Sequence, residues 1–174
     1  TIQGVPVRRH AIFWSIALVG FVVDMATKSW AFAELGMPGG RVLWIWTGHI
    51  GIETSLNEGA VFGLGQGMTW LFASLAFVAA IAIVYWLFWH GAAADRWLNI
   101  ALASVMGGVF GNLYDRVGLP GLVWNFPPDR VGQPVYAVRD WILVQASDRW
   151  RWPNFNVADS LLVVRALAAR DWEA

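Results

Sequence analysis

Acids, amides and cations gather at the edges of long apolar runs in this chain: Asp24 and Lys28, Asn57 and Glu58, Asn112, Asp115 and Arg116, Asn156 and Asp159. That inventory limits the chemistry. His10, His49 and His90 are scattered and Cys is absent, so no Ser-His-Asp arrangement, thiol nucleophile or His/Cys metal set is expected. His49 and Glu53 have weak ligand spacing in a predicted strand, and His49 reads as a surface residue. No phosphate-cradling glycine loop occurs. Neither metal nor cofactor is expected, although acids can hold a hard cation such as Mg²⁺ through oxygen. The remaining set suits hydrolysis by paired acids. Two close carboxylates cannot both ionise, so one keeps a proton while the other activates water.

Most of these residues also have a plain structural reading. Asp24 and Lys28 are four apart on one helix face and are expected to tie the end of the first helix to the first extramembrane loop. Asp115-Arg116 reads as a helix cap and interface anchor, Asn57-Glu58-Gly59 as a turn, and Gly107, Gly108 and Gly111 as close helix packing. Asp159 resists such a reading best. It lies about one turn into an apolar helix, where a carboxylate needs a partner, a proton or a task, and a helix N-terminus offers partial stabilisation.

The elements that must hold these groups are membrane elements. Of 174 residues, 57% are hydrophobic and only 14% charged, against about 25% charged in an ordinary soluble domain. Mean hydropathy is +0.50. Lys+Arg and Asp+Glu are both 12, so no net field points to nucleic acid. The 13 Trp suit a membrane interface, where one end of the ring is apolar and the other wet. A spanning helix needs about 20 mostly apolar residues. Four spans are predicted within one domain covering 1–174: about 11–32, 68–89, 97–115 and 155–172. The first is expected to be a retained helix, not a cleaved signal peptide, because no small-residue cleavage site follows it. The fourth is short and interrupted by Asn156, Asp159, Ser160 and Arg165; it is expected to run through Trp172 with Arg165 and Arg170 snorkelling.

Two polar connections, about 33–67 and 118–154, lie between the spans. The first has strand-like pieces at 41–46 and 49–56, consistent with a small sheet on the membrane surface. In the second, Pro120, Pro127, Pro128 and Pro134 forbid long helix before about Val135. Four spans put both termini on one side, and Arg8 and Arg9 argue that this side is cytoplasmic. Parity then brings the polar ends of all four helices to one leaflet, whichever way the bundle points. Such groups usually face a bundle interior or a watery cavity.

At these residues the sequence resembles the lipoprotein signal peptidases (signal peptidase II). The matching pieces are Asp24-x-x-Thr27-Lys28, Asn57-x-Gly59-Ala60-x-Phe62-Gly63, Gly108-x-x-Gly111-Asn112-x-x-Asp115-Arg116 and Phe155-Asn156-Val157-Ala158-Asp159-Ser160. They occur in order over about residues 12 to 165. The resemblance implies an all-α integral membrane protein with four transmembrane helices and a small extramembrane β-cradle. It implies an aspartic endopeptidase that removes signal peptides from diacylglyceryl-modified prolipoproteins, cutting just before the lipidated Cys. The implied catalytic pair is Asp159 and Asp140, the latter nineteen positions earlier in Val138-Arg139-Asp140-Trp141. Asn57, Gly59, Asn112, Arg116, Asn156 and Ala158 are implied as binding or supporting residues, and Asp115 as a supporting acid paired with Arg116. The implied setting is the bacterial inner membrane, with the site on the periplasmic side and the acyl chains among the helices. A monomer contacting membrane lipid is expected.

Two departures stand out. The Pro-rich stretch 118–137 is longer than the family norm, and Arg139 replaces an apolar residue. Neighbours on an extended segment point opposite ways, so Arg139 is expected to affect Asp140 little. The competing reading is a non-enzymatic four-helix membrane protein, either a degenerate homologue or a small transport or assembly subunit. Transport needs acids distributed through the membrane depth, whereas these gather at one face.

Overall fold

A computed structural model describes residues 4–59, 64–147 and 149–161. Helix α1 (Val7–Leu35) follows Pro6 and stops at Gly36, whose positive φ of 78° lets its N–H return to the Phe32 carbonyl at 3.0 Å. Strands β1 (Leu43–Trp46) and β2 (Ile50–Asn57) come next, then α2 (Thr69–Val84), whose helical path continues as a π-turn over Tyr85–Trp89. Helix α3 (Arg96–Arg116) is capped by Asp95, whose side chain accepts from the Trp97 and Leu98 N–H groups. Strands β3 (Val138–Ser147) and β4 (Trp150–Arg151) follow, and a helix opens at residue 157.

Among the described residues two segments, Val7–Leu35 and Thr69–Trp89, are long and apolar enough to cross a membrane. Their outward faces are apolar, with Leu18, Val19, Phe77 and Val78 all exposed, as suits contact with lipid. Helix α3 has the length, but two asparagines and three glycines lower its hydropathy. Most of the expected fourth span, 155–172, lies outside the described residues.

The three helices close around Phe13, Ala17, Ala80, Leu87, Phe88, Ala103 and Met106. Helix α1 crosses α3 where two glycines meet: a Cβ on Gly107 would sit 2.8 Å from the Ala17 carbonyl oxygen and 3.2 Å from the Gly20 Cα. The strands form one antiparallel sheet in the order β1-β2-β3-β4. It rests on the end of α1 through Ile52, Ala31, Leu35 and Trp141. The expected pieces at 41–46 and 49–56 are β1 and β2. Within 118–154, the mixed Val138–Ser147 sequence has no clean alternation and predicts only an extended segment around Asp140, whereas the structure forms the strand β3 there. In the sheet Ser55 stands opposite Asp140 and Asn57 opposite Val138, which lays the end of β2 beside the start of β3.

Candidate active site

The segment before residue 157 is fastened to β3. Phe155 accepts from the Trp141 and Ile142 N–H groups at 3.0 and 2.8 Å and donates to the Ile142 carbonyl at 3.2 Å. The chain then enters a helix through a reciprocal cap. The Asn156 Oδ1 accepts from the Asp159 N–H at 3.1 Å, and the Asp159 Oδ2 accepts from the Asn156 N–H at 3.1 Å. An Asn and an Asp three positions apart satisfy two otherwise orphaned donors and fix the Asp159 carboxylate at a helix N-terminus.

The amide of Asn156 faces the other way. Its Nδ2 donates to the Asp140 Oδ1 at 2.7 Å and to the Asn112 Oδ1 at 3.2 Å, while the Asn112 Nδ2 donates to the Asp159 Oδ1 at 3.2 Å. Two asparagines thus link the two acids from β3 and the 157–161 turn. Asp140 is 2% exposed, and Asn57 stands diagonally across from it at the end of β2. Burial, and then the negative charge of Asp159, push its acid up to about 8; the Asn156 amide, the Lys28 charge and the Asn57 amide oppose that rise. At neutral pH the Asp140 carboxyl therefore holds a proton.

Beneath the pair lies a buried charge network. The Lys28 Nζ reaches the Asp24 Oδ2 at 2.6 Å, the Asp115 Oδ2 at 3.0 Å and the Asn112 Oδ1 at 3.0 Å. The Asp24 Oδ1 accepts from the Ala158 N–H at 3.0 Å. Asp24 and Lys28 thus join α1 to α3 and to the Asn156–Asp159 cap, not to the first loop as expected. Asp115 is not paired with Arg116. It takes Lys28 and Arg139, whose Nε lies 2.9 Å from its Oδ1, because consecutive residues on a helix project about 100° apart. Arg116 turns instead to the Gly59 carbonyl at 3.0 Å and over the Phe72 ring. Its charge lies within reach of Asp159 and Asp140.

No partner for Arg139 is marked in the sequence. Alternation along β3 turns its side chain from Asp140 to Asp115. A buried arginine on a strand requires an acid, but nothing local shows which. The motif glycines of α3 also gain a reason. A Cβ on Gly108 would lie 2.9 Å from the Ala158 carbonyl oxygen, and one on Gly111 would strike the Asp24 carboxylate. Among the described residues no three His, Cys, Asp or Glu side chains converge as a metal-holding group.

The family model described as signal peptidase (SPase) II matches residues 16–169. The chain belongs to the signal peptidase II family. A lipoprotein signal peptidase of Rhodopirellula baltica is 49% identical over 166 residues, covering 93% of this chain and 71% of that protein. The lipoprotein signal peptidase of Pseudomonas aeruginosa PAO1 is 36% identical, with 88% and 82% covered. Two solved structures of bacterial membrane enzymes, determined by the in meso method, match at 25% identity. Their TM-scores are 0.67 and 0.64, covering 87% of this chain and 80% and 85% of theirs. The chain is therefore a signal peptidase II-type protease, a membrane enzyme of the aspartic class, and the non-enzymatic reading is not favoured.

Proposed function

We propose that Asp140 and Asp159 are the catalytic pair of this signal peptidase II, acting on diacylglyceryl-modified prolipoproteins and cutting before the lipidated Cys. The observation that carries this reading is the Asn156 bridge: one amide caps the helix of Asp159 and donates to Asp140 at 2.7 Å. Asp140 keeps the proton that two close acids must share, which leaves Asp159 as the base. Asp159 takes a proton from water as the water oxygen attacks the scissile carbonyl, and Asp140 gives its proton to the carbonyl oxygen. The tetrahedral intermediate then collapses: the C–N bond breaks, the leaving amine takes the proton held by Asp159, and one hydroxyl of the intermediate returns its proton to Asp140 as the carboxylic acid forms, which restores the singly protonated pair.

Asn112 and Asn156 hold the acids in place, and Arg116 and Asn57 face the substrate backbone. Gly59 supplies the carbonyl that fixes Arg116; Ala158 and Asp115 serve the charge network under the site. We read the bundle as four transmembrane helices in the bacterial inner membrane. The sheet and acids lie on the periplasmic side, the acyl chains of the substrate among the helices, and the molecule works as a monomer in contact with lipid.

The test is cleavage by the purified full chain of one prolipoprotein in two forms, with and without its diacylglyceryl group. The lipidated form is cut, its product begins at the modified Cys, and EDTA leaves the rate unchanged. Equal cleavage of the unmodified form would contradict the substrate assignment. Loss in EDTA restored by Mg²⁺ or Zn²⁺ would contradict metal-free water activation.

A further inference from the structure

The stretch 118–137 folds into a small hairpin. Trp124 exchanges backbone hydrogen bonds with Gln133 and Gly132, each at 2.9 Å, and Leu122 accepts from Val135 at 2.9 Å. Near its tip a single turn, Pro128–Arg130, presents Arg130. The Arg130 guanidinium lies over the Trp124 ring, 4.1 Å from its centroid, and forks onto Glu58. Its Nη1 meets Oε2 at 2.9 Å and its Nη2 meets Oε1 at 2.6 Å. A flat guanidinium stacked on indole and paired in two places is far more constrained than an ordinary surface ion pair. The Glu58 and Arg130 side chains are 17% and 32% exposed.

Glu58 sits at the centre of the turn that carries Asn57 and Gly59. The Asn57 Oδ1 accepts from the Gly59 N–H at 3.0 Å, and the register of β2 on β3, with Ser55 opposite Asp140 and Asn57 opposite Val138, places Asn57 diagonally across from Asp140. The Glu58 carbonyl accepts from the Thr69 hydroxyl at 3.1 Å, and the Gly59 carbonyl from Arg116 at 3.0 Å. Helices α2 and α3 therefore hold the backbone of this turn, and among the described residues the hairpin holds the Glu58 side chain. Residues 58 and 130 lie 72 positions apart, and no local pattern marks either as a partner.

We propose that the 118–137 hairpin is a clasp whose Arg130, by forking onto Glu58, positions the Asn57–Gly59 turn and so sets the Asn57 amide against Asp140. Arg130 and Glu58 are positioning residues; neither touches the reacting atoms. The clasp rests on the reading of Asp140 as catalytic. Its loss withdraws a donor from the Asp140 carboxylate and favours the protonated acid. The charges facing Asp140 from the other elements, Asp159 on the 157–161 turn, Lys28 on α1 and Arg116 on α3, stay in place.

The experiment measures kcat, KM and the pH–rate profile per folded molecule for the full chain in detergent micelles, using a diacylglyceryl prolipopeptide. The variants are Glu58→Gln, Arg130→Gln, Arg130→Lys, the Glu58→Gln/Arg130→Gln double, and Asp140→Asn. Each Gln variant is expected to lower kcat/KM about fivefold, and the double variant no further, because both singles remove the same contact. The alkaline limb moves to higher pH in all three. Arg130→Lys, which keeps the charge without the fork, falls between wild type and Arg130→Gln. Should Arg130→Gln fail to fold, Glu58→Gln keeps Arg130 over Trp124 and decides alone. Unchanged kcat/KM and pH profile in the folded Gln variants, or a multiplicative loss in the double, would overturn the clasp. Full turnover by Asp140→Asn would instead overturn the catalytic reading on which it rests.

Discussion

A carboxyl buried beside a second carboxylate releases its proton late, and Asp140 has both conditions, with an acid pushed up from 3.8 to about 8. Two amides and Lys28 limit the rise, so the proton is held at neutral pH and lost in the mildly alkaline range. Turnover should accordingly fall above about pH 8 as the pair becomes doubly ionised, and fall in acid as both members become protonated. The same shift makes a stability statement. The native chain binds this proton more tightly than the unfolded chain does. The contribution is therefore complete below the ordinary value of 3.8 and is lost as pH rises through about 8. Asp140→Asn has no proton to lose there. The melting temperature of this variant relative to wild type should climb steadily from about pH 4 to about pH 8 and level off beyond. A difference that stays constant over that window would mean that Asp140 is not the buried, proton-holding acid of the pair.

At the scale of elements, the glycines of α3 and the charge network do one job: they bring α1, α3 and the start of the 157–161 helix into contact. Gly107 admits α1, Gly108 admits the Ala158 backbone, and Gly111 leaves room for the Asp24 carboxylate, which then receives the Ala158 N–H. Asp24→Ala strips one partner from a buried ion network, a change that typically costs about 3–5 kcal/mol. Lys28 still has Asp115 and Asn112, which places the loss towards the lower end of that range. The folded yield and melting temperature should drop, while turnover per folded molecule stays within about tenfold of wild type. Normal stability with abolished turnover would assign Asp24 to the chemistry. Much of this level was legible in advance. Apolar runs gave the helices, and the polar residues at their ends marked where they meet. Partner choice was not legible. Asp115 takes Lys28 and Arg139 and not the adjacent Arg116, because helix geometry turns neighbours apart and the acceptable cations come from elements far away in sequence.

For the whole molecule, the site is a product of long-range assembly. Asp140 comes from a strand, Asp159 from a helix cap, Asn112 and Arg116 from α3, Asn57 from the end of β2 and Lys28 from α1. Parity of the spans alone implies that these ends share a leaflet, and the resemblance implies which two acids do the work. Neither gives the register of β2 against β3, which sets Asn57 diagonally across from Asp140, nor the fold of the hairpin at 118–137. Strand register and hairpin docking depend on contacts between residues about eighty positions apart, for which a single sequence carries no local period. Asp24, Asp115 and Asp140 are buried acids that this assembly gathers from α1, α3 and β3, and Asn156 links Asp140 to Asp159. The most direct measurement compares cleavage of a diacylglyceryl prolipoprotein by Asp140→Asn, Asp159→Asn and Asp115→Asn, each normalised to folded protein. Asp140→Asn and Asp159→Asn should lose at least about a hundredfold in kcat with the fold intact. Asp115→Asn should lose folded yield, with turnover per folded molecule staying within about tenfold of wild type. A folded Asp140→Asn that cleaves at the wild-type rate, beside a folded but inactive Asp115→Asn, would contradict the assignment.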